Sequence, residues 1–404
     1  MTREPKRGLP RAVYRIRTQG MGWVGKRIAS EISLPTTGPG KFLHASARRA
    51  LAAINAVPRF LTRSSAATFP LADDGLYAFY DLKVAPVTFD FLWFLAGAEL
   101  RRRKLGMTAV HVVIVPGGHQ GVRREGEDYE VTVGASARRE RVYNVLMASC
   151  PLLPSCTGVT SASSREQAAF LRRAARQVYP VDYEPMLPVY PGPADAFAAA
   201  RQGDKTVGAL RATQERLGEI DRWMSITVKH RRMVVITMRH YDYMTGRNSD
   251  VDAWMAFARG LDPEIYVPVF IPDTGQTITR SSEVLREFIT FPEAAWNVGL
   301  RMALYERAFV NLGVNTGPMG LCWLNSRTHY ATFKMAVPGV PQTSLDYFRE
   351  LGFVPGEPLP FATPTQDLVW QDDTVEQITR AFESLVARLE ADPGMASRAG
   401  QATL

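Results

Sequence analysis

The sequence predicts an α/β protein: two α/β domains in tandem, each built on a parallel sheet, behind a basic helical N-terminal segment. Three observations predict it. Residues 110–115 and 233–238 are near-continuous β-branched or apolar runs, the pattern of strands buried on both faces of a parallel sheet. Each run ends in a glycine-rich or polar turn and leads on to a helical stretch, as in crossover units. Between the two halves lies an irregular stretch, 180–206, carrying Pro180, Pro185, Pro188, Pro191 and Pro193. The expected boundaries are therefore 1–65 for the basic segment, 66–207 for the first domain and 208–404 for the second.

Composition excludes several classes. With 46% hydrophobic and 22% charged residues, the chain is ordinary for a globular protein able to bury two cores. Its longest apolar stretch, 89–98, is interrupted by Asp90 and is too short to cross a bilayer. The N-terminus lacks the apolar core of a signal peptide, so the expected location is cytoplasmic. Cys150, Cys156 and Cys322 have no metal-ligand spacing and are odd in number, and no histidine pair stands at zinc-binding spacing. No metal site is expected.

The net charge of +8 is concentrated at one end. Residues 1–65 carry basic side chains from Arg3 to Arg63 against Glu4 and Glu31 alone. Such a segment can sit on an anionic membrane surface, gaining about 1 kcal/mol per basic side chain near the lipid, or be plainly solvated. Nucleic acid is the less favoured partner.

Taken in order, 11–32 reads as one or two basic helices, 36–40 as a loop, 42–56 as an Ala-rich helix ending before Pro58, and 64–68 as a linker. Residues 76–80 are a strand by their aromatic content, closed by Asp81. Residues 89–104 form a helix whose last turn, Arg101 to Lys104, suits the helix dipole. After the strand 110–115, the turn Pro116 to Gly121 carries His119. Further helices are expected over 139–148 and 164–177, with turns between them, and over 208–227. In the second half, strands are expected over 233–238, 265–271, 309–314 and 330–337. The helices there are 249–260, 279–288, 294–308, 345–351 and 375–389, with 361–370 extended.

Three second-half strands end in a polar turn: Arg239, Asp273-Thr274, and Asn315-Thr316-Gly317-Pro318 ahead of Met319. All three should open on the carboxyl edge of one sheet, where open α/β sheets bind ligands. Arg239 and Arg247 are the cations best placed for a diphosphate, arginine being its usual bidentate partner. Arg247-Asn248-Ser249-Asp250 is equally a helix start, with Asp250 and Asp252 as caps. Asp273 is either an acceptor for a ribose or sugar hydroxyl or a turn aspartate. A transfer reaction needs a base. Asp81 and His119, at first-half strand ends, are the candidates, each against an ordinary turn role; Glu99 on the first long helix is a further acid. No GxGxxG, GxxxxGK[ST] or GxSxG occurs, which disfavours dinucleotide dehydrogenases, P-loop ATPases and α/β-hydrolases.

The stretch Val310-Asn-Leu-Gly-Val-Asn-Thr-Gly-Pro-Met319 resembles the late strand and turn of heptosyltransferases, and Val235-Ile-Thr-Met-Arg239 is similar to the strand opening the donor domain of fucosyltransferase-like enzymes. Both belong to GT-B fold glycosyltransferases. The resemblance implies two tandem Rossmann-like domains, with Asn315, Thr316, Gly317, Pro318 and Met319 in a nucleotide-sugar pocket and Arg239 at the diphosphate. It also implies a last helix, after Asp372-Asp373-Thr374, that packs back on the first domain. The chain departs from the heptosyltransferase pattern at Gly320 and Leu321, where a histidine is expected, and has no lysine after Arg239. The expected function is metal-independent transfer of a sugar from a nucleotide-diphosphate donor to a cell-envelope glycan or lipid-linked acceptor. The nucleotide sugar is a co-substrate, and no other cofactor is expected. The alternatives are a non-catalytic nucleotide- or sugar-binding protein at the membrane surface and a nucleotide-sugar epimerase.

Overall fold

The computed structural model describes residues 38–62, 74–274 and 285–391. Helix α1 (Gly38–Thr62) leads into a four-stranded parallel sheet. Its strands are β1 (Gly75–Asp81), β2 (Ala109–Val115), β3 (Cys156–Ser161) and β4 (Gln177–Tyr179), in the order β3-β2-β1-β4. Between them run α2 (Phe91–Lys104), α3 (Glu127–Thr132), α4 (Ala135–Arg141), a π-helical turn Val142–Met147, and α5 (Arg165–Ala174).

The chain then passes through α6 (Ala194–Arg201) and α7 (Gln214–Thr227) to a second, six-stranded parallel sheet. Its strands are β5 (Arg232–Thr237), β6 (Tyr266–Ile271), β7 (Ile289–Thr290), β8 (Val310–Val314), β9 (Tyr330–Phe333) and β10 (Gln366–Leu368), in the order β10-β9-β8-β5-β6-β7. Helices α8 (Val251–Gly260), α9 (Glu293–Trp296), α10 (Val298–Arg307), α11 (Gly320–Trp323), α12 (Leu345–Leu351) and α13 (Val375–Ala391) complete this half. The α/β architecture with two parallel sheets is as expected.

The differences have local causes. Helix α1 begins at Gly38, with Pro39 in its first turn where a missing N–H is harmless, and it continues through Pro58. The helix expected over 164–177 stops at Ala174, and β4 takes its end. Strand β3, Cys-Thr-Gly-Val-Thr-Ser, is an edge strand with no fully buried residue, so it lacks the apolar signature of the central strands. The single helix expected over 294–308 breaks at Asn297, whose side chain accepts from the Leu300 N–H and starts a new helix. The expectations for 11–32 and 64–68 lie outside the described residues, as does most of 279–288.

The two halves share one apolar core. Trp93 of α2 stacks on Phe197 of α6 at 5.7 Å and lies 6.4 Å from Trp323 of α11. The connection between β9 and β10 reaches across to the first half and places Phe353 4.8 Å from Phe197 and Phe361 6.3 Å from Trp93. Helix α13 corrects an expectation. Its buried face, Ile378, Phe382, Leu385 and Leu389, packs on α8 and β9 of the second half rather than on the first domain. Phe257, Tyr266 and Phe309 offer an apolar surface there, with Phe382 5.4 Å from Phe257.

Candidate active site

Parallel strands bring their carboxyl ends to one edge, and here both sheets contribute to one cleft. The segment after β1 supplies Thr88, Phe89 and Asp90 from the first half. The segments after β5, β6 and β8 supply Arg239, then Asp273 and Thr274, then Thr316, Gly317 and Pro318. The cleft has two lobes, of about 560 Å3 and about 680 Å3, which share Asp90, Arg247 and Thr316 among their walls. The halves meet closely at Gly317, where an added Cβ would stand 3.0 Å from the Phe89 ring. A side chain there would press on that ring and push it aside by a few tenths of an ångström.

The smaller lobe is basic on balance, with four arginines facing Asp90, Glu140 and Asp273. Arg141, Arg239, Arg247 and Arg301 all line it, and among the described residues none of them has a carboxylate partner. Arg239 is buried and donates to the carbonyls of Tyr243 (2.7 Å) and Met244 (3.2 Å) and to the Asn248 side chain. Those bonds shape the loop after β5, including Met244 in the left-handed region at φ 56. Burial, and then the neighbouring Arg247 cation, push the Arg239 guanidinium down to about 10, with Asp273 and Tyr241 opposing. Arg247 donates from Nη2 to the Asn315 carbonyl at 2.9 Å, and its buried Nε has no partner. Desolvation lowers Arg247 as well, with Asp90 opposing. Unpaired buried cations are unfavourable unless something anionic meets them. Arg239 and Arg301 are buried and Arg141 and Arg247 half-buried, so the lobe favours an anionic ligand.

Asp90 stands at the junction of the lobes. It occupies the cap position of α2 but makes no capping bond. Instead Thr88 Oγ1 donates to Asp90 Oδ2 at 2.8 Å. The carboxylate remains accessible to the cleft, while the enclosing walls remove enough water to raise its pKa. Desolvation is the largest cause, opposed by the Thr88 bond and by Arg123 and Arg247.

The expected residues divide clearly. Arg239, Arg247, Asp273, Thr274, Thr316, Gly317 and Pro318 line the basic lobe, and Asn315 lines the larger one. Asp273 also accepts the His240 N–H at 3.0 Å, and Thr274 Oγ1 donates to the Ala295 carbonyl at 3.3 Å. Asn248 turns its side chain inward, accepting from Arg239 and the Tyr241 N–H and donating to the Tyr241 carbonyl, so it holds the loop rather than lining the cleft. Met319 is fully buried against Gly313 and is not a cleft residue. Past the turn the chain runs through a 3-10 turn, Gly317–Met319, into the short α11.

Asp81 lines neither lobe. Its side chain is fully buried and accepts from both Arg165 nitrogens at 2.8 Å, from Tyr183 Oη at 2.6 Å and from the Lys83 N–H at 2.9 Å. With every oxygen engaged, it ties β1 to α5. Replacing Asp81 with Ala strands Arg165 and should cost about 3–5 kcal/mol in a denaturant titration. His119 sits in a small turn paired with Val122, outside both lobes. Glu99 is likewise structural: burial raises its pKa, but bonds from Arg102, Ser155 and Arg103 win and bring it to about 2. Asp250 caps α8 through the Ala253 N–H, as one reading of the sequence expected. The described residues contain no cluster of three or more side chains able to hold a metal ion, and no helix long and apolar enough to cross a membrane.

Asp90, Arg141 and Arg301 were not singled out from sequence. The signal for Asp90 was present in Thr88-Phe-Asp90 just ahead of an apolar run. Arg141 and Arg301 lie on helices, where arginine is usually solvated.

No protein-family model matches the chain, and no curated protein matches it. Among solved structures, the glycosyl transferase family 9 protein from Veillonella parvula DSM 2008 aligns with a TM-score of 0.48 and 9% identity, over 79% of this chain and 99% of that chain. The E. coli ADP-heptose LPS heptosyltransferase II aligns with a TM-score of 0.45 and 9% identity, over 78% of this chain and 99% of that chain. The NodZ α-1,6-fucosyltransferase co-crystallised with GDP aligns with a TM-score of 0.27 and 13% identity, over 62% of this chain and 92% of that chain.

Proposed function

We propose that the chain is a glycosyltransferase that takes a sugar from a nucleotide-diphosphate donor. One observation carries the reading: a lobe lined by four arginines that have no carboxylate partner among the described residues meets, at Asp90, a cleft-accessible carboxylate of raised pKa from the other sheet's edge. The arginines suit a diphosphate, which offers paired anionic oxygens to their planar donors. Asp273 suits a ribose or sugar hydroxyl. Asp90, with its raised pKa, is matched to removing the acceptor proton as the new glycosidic bond forms. The leaving diphosphate keeps the electron pair of the broken bond, and the arginines stabilise that charge. The phosphate charge is then met by side chains, so transfer should persist in EDTA. The acceptor belongs to the cell-envelope glycan or lipid-linked class.

The test is a melting-temperature panel with UDP, GDP, ADP, CDP and CMP. A diphosphate held at 100 times its dissociation constant should add about 2.7 kcal/mol to stability. No shift with any of them would overturn the donor assignment.

The same proposal places the protein against anionic lipid. Its support is the basic run in residues 1–65 together with exposed Phe42 and Leu43 beside Lys41 on α1. Full-length protein should co-sediment with phosphatidylglycerol vesicles and not with phosphatidylcholine vesicles. Replacing Lys6, Arg7, Arg11, Arg15 and Arg17 with Ala should abolish that difference; unchanged co-sedimentation would sink the membrane reading.

A further inference from the structure

The larger lobe differs in chemistry from the basic one. Two tyrosines belong to it alone, Tyr190 from the first half and Tyr347 from the second, while Tyr129 and Tyr243 stand on the boundary and line both lobes. Tyr129 and Tyr243 meet edge-to-face at 5.1 Å across the mouth. Tyr190 is anchored through its hydroxyl to the Asp90 carbonyl at 3.4 Å. Tyr347 is presented by α12, on the connection whose Phe353 and Phe361 lock it to the first half.

The charges in this lobe are also different. Arg123 is neutralised by Glu125 at 2.6 Å, and Glu350 and Asp90 add negative charge, which leaves the shared Arg247 as the unpaired cation. A second phosphate group is therefore disfavoured here. A lipid chain is disfavoured too, because polar atoms of Glu125, Gln342 and Asp90 interrupt the apolar wall.

We infer that the larger lobe binds an unphosphorylated saccharide ring of the acceptor. The C–H faces of the sugar pack on Tyr190 and Tyr347, and its hydroxyls are bonded by the interleaved Glu125, Gln342 and Glu350. This rests on the transfer reading above and deepens it. A saccharide is the ligand whose two kinds of surface match that wall: apolar faces for the rings and a hydroxyl rim for the polar tips. One hydroxyl is then held at Asp90, on the boundary with the donor lobe. The acceptor preference follows from the connection between β9 and β10, in the half that also holds the donor.

The test uses the full chain on an array of printed neutral, amino and phosphorylated oligosaccharides and phospholipids, in buffer containing UDP, GDP, ADP and CDP. The expected result is retention on unphosphorylated saccharide features. Tyr347→Ala should weaken that retention about tenfold, and Gln342→Ala should weaken it too; both residues are exposed, and the variants should melt with the parent. Retention only on phosphorylated or lipid features would overturn the inference, as would saccharide retention indifferent to both substitutions, or no retention at all. The nucleotide melting panel is read on the same protein. A diphosphate shift without saccharide retention defeats the inference alone, whereas absence of both defeats the transfer reading as well.

Discussion

Replacing Asp90 with Asn should lower transfer by about 10²–10⁴-fold while leaving the fold as stable as before or more so. The two outcomes have one cause. The cleft walls desolvate the Asp90 carboxylate and raise its pKa, so the folded protein holds that proton more tightly than the unfolded chain does. By linkage, stability contributed by this group is greatest at low pH and is lost as the pH rises from the unfolded value through the raised folded one. At neutral pH the charged side chain is thus a burden on the fold, and the isosteric amide removes it. A base, however, must be ionised to accept a proton, and losing one typically lowers the rate by about 10²–10⁴-fold. The parent rate should fall as the pH drops through an apparent pKa above the ordinary aspartate range. The residual rate of Asp90→Asn should lack that limb. The measurements are kcat against pH and melting temperature on both proteins. A variant that keeps full activity excludes Asp90 as the base, and one that melts much earlier marks it as structural.

Asp81 and Asp90 show why part of the site was legible and part was not. Both are aspartates close after the same strand, and either could serve as turn residue, cap or base. Their roles are decided by partners remote in sequence: Arg165 and Tyr183 close over Asp81, while the second half leaves Asp90 open at the cleft. No local pattern carries that information. The second-sheet strand ends were legible because a buried parallel strand is an apolar run, and the first polar residue after it marks the carboxyl edge. Arg239, Asp273 and Thr316 were found that way. The family resemblance, by contrast, misplaces Met319, an apolar residue just past the turn that returns to the core. The strand-end rule is silent on Arg141 and Arg301, which reach the cleft from helices. Strand β3 was missed because its edge position asks for little apolar content, and α13 was placed on the first half by the family resemblance alone, its periodic apolar face being unable to say which surface it meets.

The second large effect is expected at Arg247. Its guanidinium lines both lobes and, among the described residues, has no carboxylate partner and keeps a buried Nε without any acceptor. A hydrogen bond to a charged group contributes about 1.5–3 kcal/mol. Arg247→Ala should therefore weaken nucleoside diphosphate binding by about 10- to 150-fold. Arg247→Lys should restore only part of it, because an ammonium cannot reproduce two parallel N–H donors. Arg239→Ala should weaken binding too, but through a different route. Its bonds to Tyr243, Met244 and Asn248 hold the loop after β5, so its loss also loosens Arg247. The pair should consequently be non-additive, with the double variant little worse than Arg239→Ala alone. The lobe carries four arginines against the carboxylates of Asp90, Glu140 and Asp273, so in the parent the diphosphate shift should shrink as salt screens the arginines. Titration calorimetry with the diphosphate chosen by the melting panel, run on the parent, both single variants and the double, measures all of this. If Arg247→Ala binds as the parent does, the diphosphate lies elsewhere, and the arginine lobe must serve another anion.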